Sequence, residues 1–230
     1  MAAMVDASIG GKTAVNLKEA KNLVGAFYQP QMVLADPHTL TTLGRRELSE
    51  GWAEAIKHGF IMDDDLVSVF ENHASELMGL EPELSTEVIR RSIAIKAGVV
   101  SEDERETLGK RVLLNYGHTI GHAIEASTGY GKYMHGEAVS VGMMGAAELS
   151  RRMGMIGSDV VGRQGELLQR FNLPLKAKGL DAERIFSAMA MDKKSVGGAI
   201  RWVLLERVGK AATSRDVPLE QVREVVEGLL

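Results

Sequence analysis

The sequence predicts a mainly helical metal-binding domain, preceded by a short α/β piece and carrying one β-hairpin. Three observations predict it. From Arg46 onward apolar residues recur at helical spacing, run after run, with capping and stop residues between the runs. The first 45 residues instead alternate a glycine turn, a short helix and one strand, too few strands for a sheet. Between Val112 and Glu137, three histidines and two acids crowd into a glycine-punctuated stretch.

Taken in order, Gly10-Gly11-Lys12-Thr13 is a glycine turn, 16–23 a short helix, and Gln31-Met-Val-Leu-Ala-Asp36 a strand closed by Pro37. Helices are expected over 46–62, 64–78, 84–102, 112–127, 136–153, 158–171, 181–190 and 218–229, with Ser158 and Asp181 as N-caps. Ile200-Arg-Trp-Val-Leu-Leu205 and Ala211-Ala-Thr-Ser214, parted by a turn at Gly209, form the hairpin. The change of pattern near residue 45 divides the chain into 1–45 and 46–230. There is no internal repeat, low-complexity tract or long linker.

With 230 residues, 45% hydrophobic and 25% charged, the chain can bury a sizeable core without disulfides or other staples. A net charge of -4 provides no basic field for nucleic acid, so none is expected as a partner. The sequence has no run of about 18 apolar residues, and its first residues lack signal-peptide character. No membrane role is expected. The absence of cysteine fits a reducing cytoplasm, the expected location.

His118 and His122 stand four apart in a helical segment, so both imidazoles leave one face about a turn apart. Gly117 and Gly121 share that spacing, and each costs about 1 kcal/mol of helix propensity relative to Ala. Such a cost implies that something approaches the backbone closely there, as in the wall of a site. A catalytic zinc takes three protein ligands and an open position, so a third ligand is needed. His135 and a carboxylate are the candidates, the acids being Glu125, Glu137 and Glu54. Glu54 lies in Gly51-Trp-Ala-Glu54-Ala-Ile-Lys57-His58-Gly59, where an acid and a lysine three apart share a helical face. Spacing alone leaves all three acids open. With no thiolate available, imidazole and carboxylate suit zinc, iron or cobalt.

Gly10-Gly11-Lys12-Thr13 resembles a phosphate loop but fails its spacing, because Asp6 stands where that loop needs a glycine. No G-x-G-x-x-G fingerprint is present. What remains is an anion-holding turn made of glycine amides and the Lys12 ammonium. Lys21-Asn22, Lys57, Lys96, Arg111 and Asp192-Lys193-Lys194 also sit at element ends or beside glycines, and together they suit an acidic substrate.

Six blocks in order carry a family resemblance: Met4-Val-Asp6-Ala-Ser8-Ile-Gly10-Gly11-Lys12-Thr13, Lys21-Asn22-Leu-Val-Gly25-Ala-Phe-Tyr-Gln29-Pro30, Ala53-Glu54-Ala-Ile-Lys57-His58-Gly59, Asp103-Glu104-Arg105-Glu106, Asn115-Tyr-Gly117-His118-Thr-Ile-Gly121-His122-Ala-Ile-Glu125 and His135-Gly136-Glu137. Over essentially its whole length the chain resembles 3-dehydroquinate synthase. The resemblance implies a cyclase of the shikimate pathway that uses NAD and zinc or cobalt. It converts 3-deoxy-D-arabino-heptulosonate 7-phosphate to 3-dehydroquinate and phosphate, as a homodimer.

By the same resemblance, Glu54, His118 and His135 ligate the metal, while His122 becomes a proton-transfer or phosphate-side group. That revises the spacing-based view in which both helical histidines bind metal. Lys12, Asn22, Lys57, Lys96, Arg111, Asn115, His122, Lys193 and Lys194 would surround the substrate's phosphate and carboxylate, with Arg111 pairing bidentately with carboxylate. Glu106, with Lys12 and His122, would be catalytic. Asp6, Lys21, Thr39 and Thr42 match positions that contact NAD. In the family an α/β nucleotide-binding half precedes the Met4 block, so the resemblance implies a chain lacking most of that half and turning over poorly alone. Other sugar-phosphate cyclases, polyol dehydrogenases of the same plan and a non-catalytic metal-binding fragment are the alternatives. Lys12-Thr13 and the Lys21-Asn22 block favour the dehydroquinate branch.

Overall fold

The computed structural model describes residues 1–15, 24–129, 131–196 and 200–230, and within them all side chains but those of 191–196. The short helix expected over 16–23 lies outside the described residues. An N-terminal helical turn, Ala3–Ala7, leads into β1 (Lys12–Val15), which pairs antiparallel with β2 (Val24–Phe27), Lys12 opposite Phe27. A second hairpin, β3 (Trp202–Arg207) with β4 (Lys210–Ser214), closes at Gly209 as its sequence predicts, with a register shift between Leu205 and Arg207. The expected single hairpin is therefore two.

The rest is helical: α1 (Arg45–Met62), α2 (Asp64–Asn72), α3 (Ala74–Met78), α4 (Pro82–Glu102), α5 (His118–Ser127), α6 (His135–Arg152), α7 (Ser158–Arg170), α8 (Ala182–Val196) and α9 (Leu219–Gly228). Short 3₁₀ turns span Pro37–Thr42 and Arg111–Asn115. Among the described residues no helix is long and apolar enough to cross a membrane.

Four expectations need correction. Gln31–Asp36 forms no strand: no neighbouring strand among the described residues pairs with its backbone. The helix expected over 64–78 breaks at His73, whose φ of -130° is not helical. The helix expected over 112–127 is interrupted by Gly117 at φ 79°, a left-handed conformation that separates the 3₁₀ turn from α5. Gly157, in extended conformation, caps α7 in place of Ser158. Asp181 does cap α8, its carboxylate accepting from the Glu183 N–H at 3.0 Å.

Helix α1 is the central element, with nearly every residue from Leu48 to Ile61 buried. Around it Trp52, Phe70 and Phe171 pack edge to face with centroids 5.5 to 6.1 Å apart, a geometry their ring quadrupoles favour. A second apolar cluster joins Ile120 and Ile124 of α5, Val141 of α6, Trp202 and Leu204 of β3, and Val226 of α9.

Glycine sets the two closest helix approaches. A Cβ on Gly142 of α6 would lie 1.9 Å from the Gly117 carbonyl oxygen, and one on Gly136 would lie 1.9 Å from the Glu50 carbonyl oxygen. A Cβ on Gly121 would meet the Ala138 carbonyl oxygen at 3.1 Å. What approaches the bare turns at Gly117 and Gly121 is thus helix α6 rather than a ligand. The consequence is positional: α5 and α6 both start against the middle of α1.

Candidate metal centre

His118 and His135 are the first residues of α5 and α6, and both rings turn toward Glu54 of α1. The Nε2 atoms of His118 and His135 lie 3.5 and 3.3 Å from Glu54 Oε1. One ligand atom from each of these three residues falls within 4.8 Å of the other two. Glu54 Oε1 is buried and, among the described residues, has no hydrogen-bond partner shorter than these two imidazole contacts. An acceptor so placed costs on the order of a few kcal/mol unless something electropositive meets it.

The other nitrogen of each ring is already committed. His118 Nδ1 sits 3.2 Å from the Tyr116 carbonyl oxygen, and His135 Nδ1 sits 3.0 Å from Glu125 Oε2. Donation from Nδ1 to those oxygens is the arrangement a metal ligand needs, because it leaves each Nε2, once it carries no proton, free to meet a cation beside Glu54. A second grouping, His122 with Glu125 and His135, is equally compact. There, however, one Glu125 oxygen already accepts from His135 Nδ1, at 3.0 Å. Of the acids that spacing leaves open, Glu137 spends its carboxylate on Arg46 at 2.5 and 2.6 Å and on the Met134 N–H at 2.9 Å, closing the start of α6.

Charge is strongly organised here. Burial opposes ionisation of Glu54, but Lys57 and the two imidazoles outweigh it and hold the carboxyl well below its usual range. Lys57 Nζ lies 2.5 Å from Glu54 Oε2, so one carboxylate oxygen faces an ammonium and the other the two imidazoles. Burial, reinforced by Lys57, holds His118 down to about 3. Burial also resists charge on His135, yet contacts with Glu125 and Glu54 carry it up to about 10. Two carboxylates around one ring favour positive charge at this point, which either a proton on that ring or a divalent cation in its place supplies.

The other sequence-predicted residues fall into three groups. Asp6 and Lys96 pair at 2.6 Å beside the Glu54–Lys57 pair, and Lys96 is buried. Arg111 is also buried: its terminal nitrogens donate to the Glu104 and Gly10 carbonyl oxygens at 2.6 and 2.8 Å. The guanidinium edge expected to meet a carboxylate is turned to the main chain, with the Gly10 carbonyl as one of its acceptors. Lys12 pairs with Glu106 at 2.7 Å, both partly exposed, and Glu106 adopts a left-handed φ of 57°.

Asn115 is exposed at the end of its 3₁₀ turn. His122 is exposed on α5, its ring centroid 5.1 Å from that of His118 and 6.0 Å from that of His135. Thr39 and Thr42 hydroxyls donate within their own turn, to Asp36 and Thr39 carbonyl oxygens. Lys21 and Asn22, and the side chains of Lys193 and Lys194, lie outside the described residues. A surface hollow of about 580 Å³ lined by Leu40, Arg45, Met78 and Arg170 contains none of the candidate ligands.

Sequence reasoning missed the orienting position of Glu125 and the buried His58. Each had a signal: Glu125 is seven residues after His118, two turns along one face, and His58 is four after Glu54.

The sequence profile described as the 3-dehydroquinate synthase C-terminal domain matches residues 51–195, and the one described as its N-terminal domain matches residues 1–50. The chain is 50% identical over 224 residues to 3-dehydroquinate synthase of Nitrosospira multiformis, covering 97% of this chain and 61% of that protein. The corresponding protein of Methylococcus capsulatus is also 50% identical, at 97% and 62% coverage. Among solved structures, 2-epi-5-epi-valiolone synthase of Streptomyces hygroscopicus, with NAD+ and Zn2+ bound, superposes with a TM-score of 0.91 at 27% identity, covering 99% of this chain and 63% of that one. A 2-deoxy-scyllo-inosose synthase complexed with carbaglucose-6-phosphate, NAD+ and Co2+ gives 0.86 at 32% identity, covering 100% and 65%. The chain therefore spans about three fifths of the length of the relatives it matches.

Proposed function

The chain belongs to the 3-dehydroquinate synthase family, and from that premise we propose that it carries the metal- and substrate-binding part of a 3-dehydroquinate synthase. The reaction assigned to the whole enzyme converts 3-deoxy-D-arabino-heptulosonate 7-phosphate to 3-dehydroquinate and phosphate, in the cytoplasm and as a homodimer. Residues 1–45 are assigned to the nucleotide-binding side and 46–230 to the metal and substrate side.

One observation carries the reading: an orphaned buried carboxylate oxygen faced by two Nε2 atoms whose rings are fixed from behind. Glu54, His118 and His135 would hold zinc or cobalt, which supplies Lewis acidity to a bound hydroxyl. Lys57 keeps Glu54 ionised and fixes its second oxygen. Glu125 fixes the ring of His135. His122, exposed beside both ligand histidines, is placed to exchange a proton with a bound substrate. Lys12 and Glu106 offer opposite charges at one exposed point, and a substrate phosphate or carboxylate arriving there competes with Glu106 for the Lys12 ammonium.

NAD is assigned to the complete enzyme because two solved relatives hold it. Of the residues the resemblance gives to NAD, Asp6 is paired with Lys96, Thr39 and Thr42 donate within their own turn, and Lys21 lies outside the described residues.

Cobalt titration monitored by visible absorption tests the site. Wild type should give a tight one-to-one complex, lost in His118→Ala and His135→Ala and retained in His122→Ala. Loss in His122→Ala with retention in His135→Ala would overturn the ligand set. Another sugar-phosphate cyclase is the second reading, favoured by the superpositions on the valiolone and inosose synthases. Identity weighs against it: 50% to the dehydroquinate enzymes against 27% and 32% to those two. Turnover of sedoheptulose 7-phosphate but not of the heptulosonate phosphate by the complete enzyme would decide for the second reading.

A further inference from the structure

We propose that His58 is a positioning residue for the acid pair Asp6 and Glu54: a neutral ring held in its Nε2–H tautomer by the Ser92 hydroxyl, with that N–H directed at the two carboxylates. The significance of Glu54 rests on the metal-site reading above. His58 lies one turn after Glu54 on α1, so the two side chains leave the same face. The ring is fully buried, as is Ser92 on α4. His58 Nδ1 lies 2.6 Å from Ser92 Oγ, a full hydrogen bond. Among the described residues its buried Nε2 has no hydrogen-bond partner. One ring nitrogen of His58, one oxygen of Asp6 and one of Glu54 lie within 4.8 Å of one another.

Two tautomers satisfy the Ser92 contact. If Nδ1 carries the proton it donates to Ser92 and leaves a lone pair on Nε2; if Ser92 donates, Nε2 carries the N–H. The surroundings decide between them. The nearby ammonium groups are already committed, Lys57 to Glu54 Oε2 and Lys96 to the Asp6 carboxylate and carbonyl. Among the described residues Glu54 Oε1 has no short hydrogen bond, its imidazole neighbours standing at 3.3 and 3.5 Å. A lone pair turned toward carboxylate oxygens in a water-poor interior is repelled, and an N–H is attracted, both more strongly than in water.

Net charge points the same way. Asp6 and Glu54 are balanced by Lys57 and Lys96, so a neutral dipole orients the acids without unbalancing the cluster. A second cation among Asp6, Glu54 and His58 would instead have to compete with both ammonium groups. Without the His58 N–H, Glu54 is free to rotate further toward Lys57 and away from His118 and His135. Groups that orient a metal ligand in this way are worth about 10–100-fold in metal affinity.

The test uses the 230-residue chain. Nitrogen NMR of histidine-labelled protein, assigned by difference with His58→Gln, reads the tautomer directly and needs neither metal nor turnover. The expected spectrum has a protonated Nε2 and a bare Nδ1 at neutral pH, and a proton on Nδ1 would overturn the inference. Zinc titration then reads the role. His58→Phe, which removes the donor, should bind zinc about 10–100-fold more weakly. His58→Gln, whose amide nitrogen reaches the Nε2 position, should stay within a few-fold of wild type. Wild-type affinity in His58→Phe, or equal loss in folded His58→Gln, would overturn the positioning role. A second zinc per chain, lost with His58, would replace it by a cation site. Failure of wild type to bind zinc would sink the metal reading, and the ring spectrum would still decide the tautomer.

Discussion

At the scale of single residues, the decisive feature is how nitrogen and oxygen atoms are divided between jobs. Glu54 gives one oxygen to Lys57 and leaves the other to two imidazoles; each imidazole gives Nδ1 to an oxygen and leaves Nε2 to Glu54. Glu125 is the test of that division, since it touches His135 and is not among the three proposed ligands. Glu125→Ala should keep zinc stoichiometry near one while weakening affinity about 10–100-fold, measured by competition with a chelating dye. Complete loss of zinc would make Glu125 a ligand instead. From spacing alone the histidines were legible and the acid was not; Glu54 came from the family resemblance. Three carboxylates fitted the spacing, and only the approach of helices far apart in sequence separates Glu54 from the helix-closing Glu137 and the ring-holding Glu125.

Among the elements, the starts of α5 and α6 govern the site because each presents its first side chain as a candidate ligand. Their spacing depends on Gly142, where a Cβ would overlap the Gly117 carbonyl oxygen at 1.9 Å. Gly142→Ala gains about 1 kcal/mol of helix propensity but must push the helices apart, at about 1–3 kcal/mol of overpacking. Net destabilisation in urea together with weakened zinc binding is expected; unchanged zinc affinity would uncouple the helix contact from the site.

Glu137 offers a pH-dependent check on the same helix start. Burial raises its pKa, but Arg46 and the Met134 N–H outweigh that and lower it from its ordinary 4.5. The sign follows from linkage: the stabilisation is complete above the unfolded value and is lost as pH falls through the depressed folded value. Thermal melts of wild type and Glu137→Gln should therefore differ at neutral pH and converge in acid. A constant difference would mean the carboxylate charge contributes nothing. Most helices were readable from apolar spacing and end residues. The break at Gly117 was not, because a helix interior and a left-handed cap are both places for glycine. The β1–β2 hairpin was also hidden, since its strands are exposed on every residue and carry no inside-outside alternation.

Viewed as a whole molecule, the helical part is well covered while one apolar stretch is not. Val24, Phe27, Tyr28, Met32 and Leu34 are exposed, the last two at 77% and 84%. Gln31–Asp36 reads as a strand in sequence because it is apolar on both faces, the signature of a strand buried on both sides. Among the described residues nothing covers it, which is why the expectation and the structure differ there. Such a patch promotes association at high concentration. Met32→Lys with Leu34→Lys should shift sedimentation of the 230-residue chain toward a smaller species without changing its zinc affinity. Unchanged association would place the contact elsewhere.

The most direct measurement is zinc-edge X-ray absorption on the metal-loaded wild-type chain. Coordination by Glu54, His118 and His135 predicts two imidazoles and a carboxylate oxygen in the first shell, at about 2.0–2.2 Å. Glu54→Gln should lose or redistribute that oxygen shell. A three-imidazole shell, or one unaltered by Glu54→Gln, would contradict the assignment of the metal to the meeting point of α1, α5 and α6.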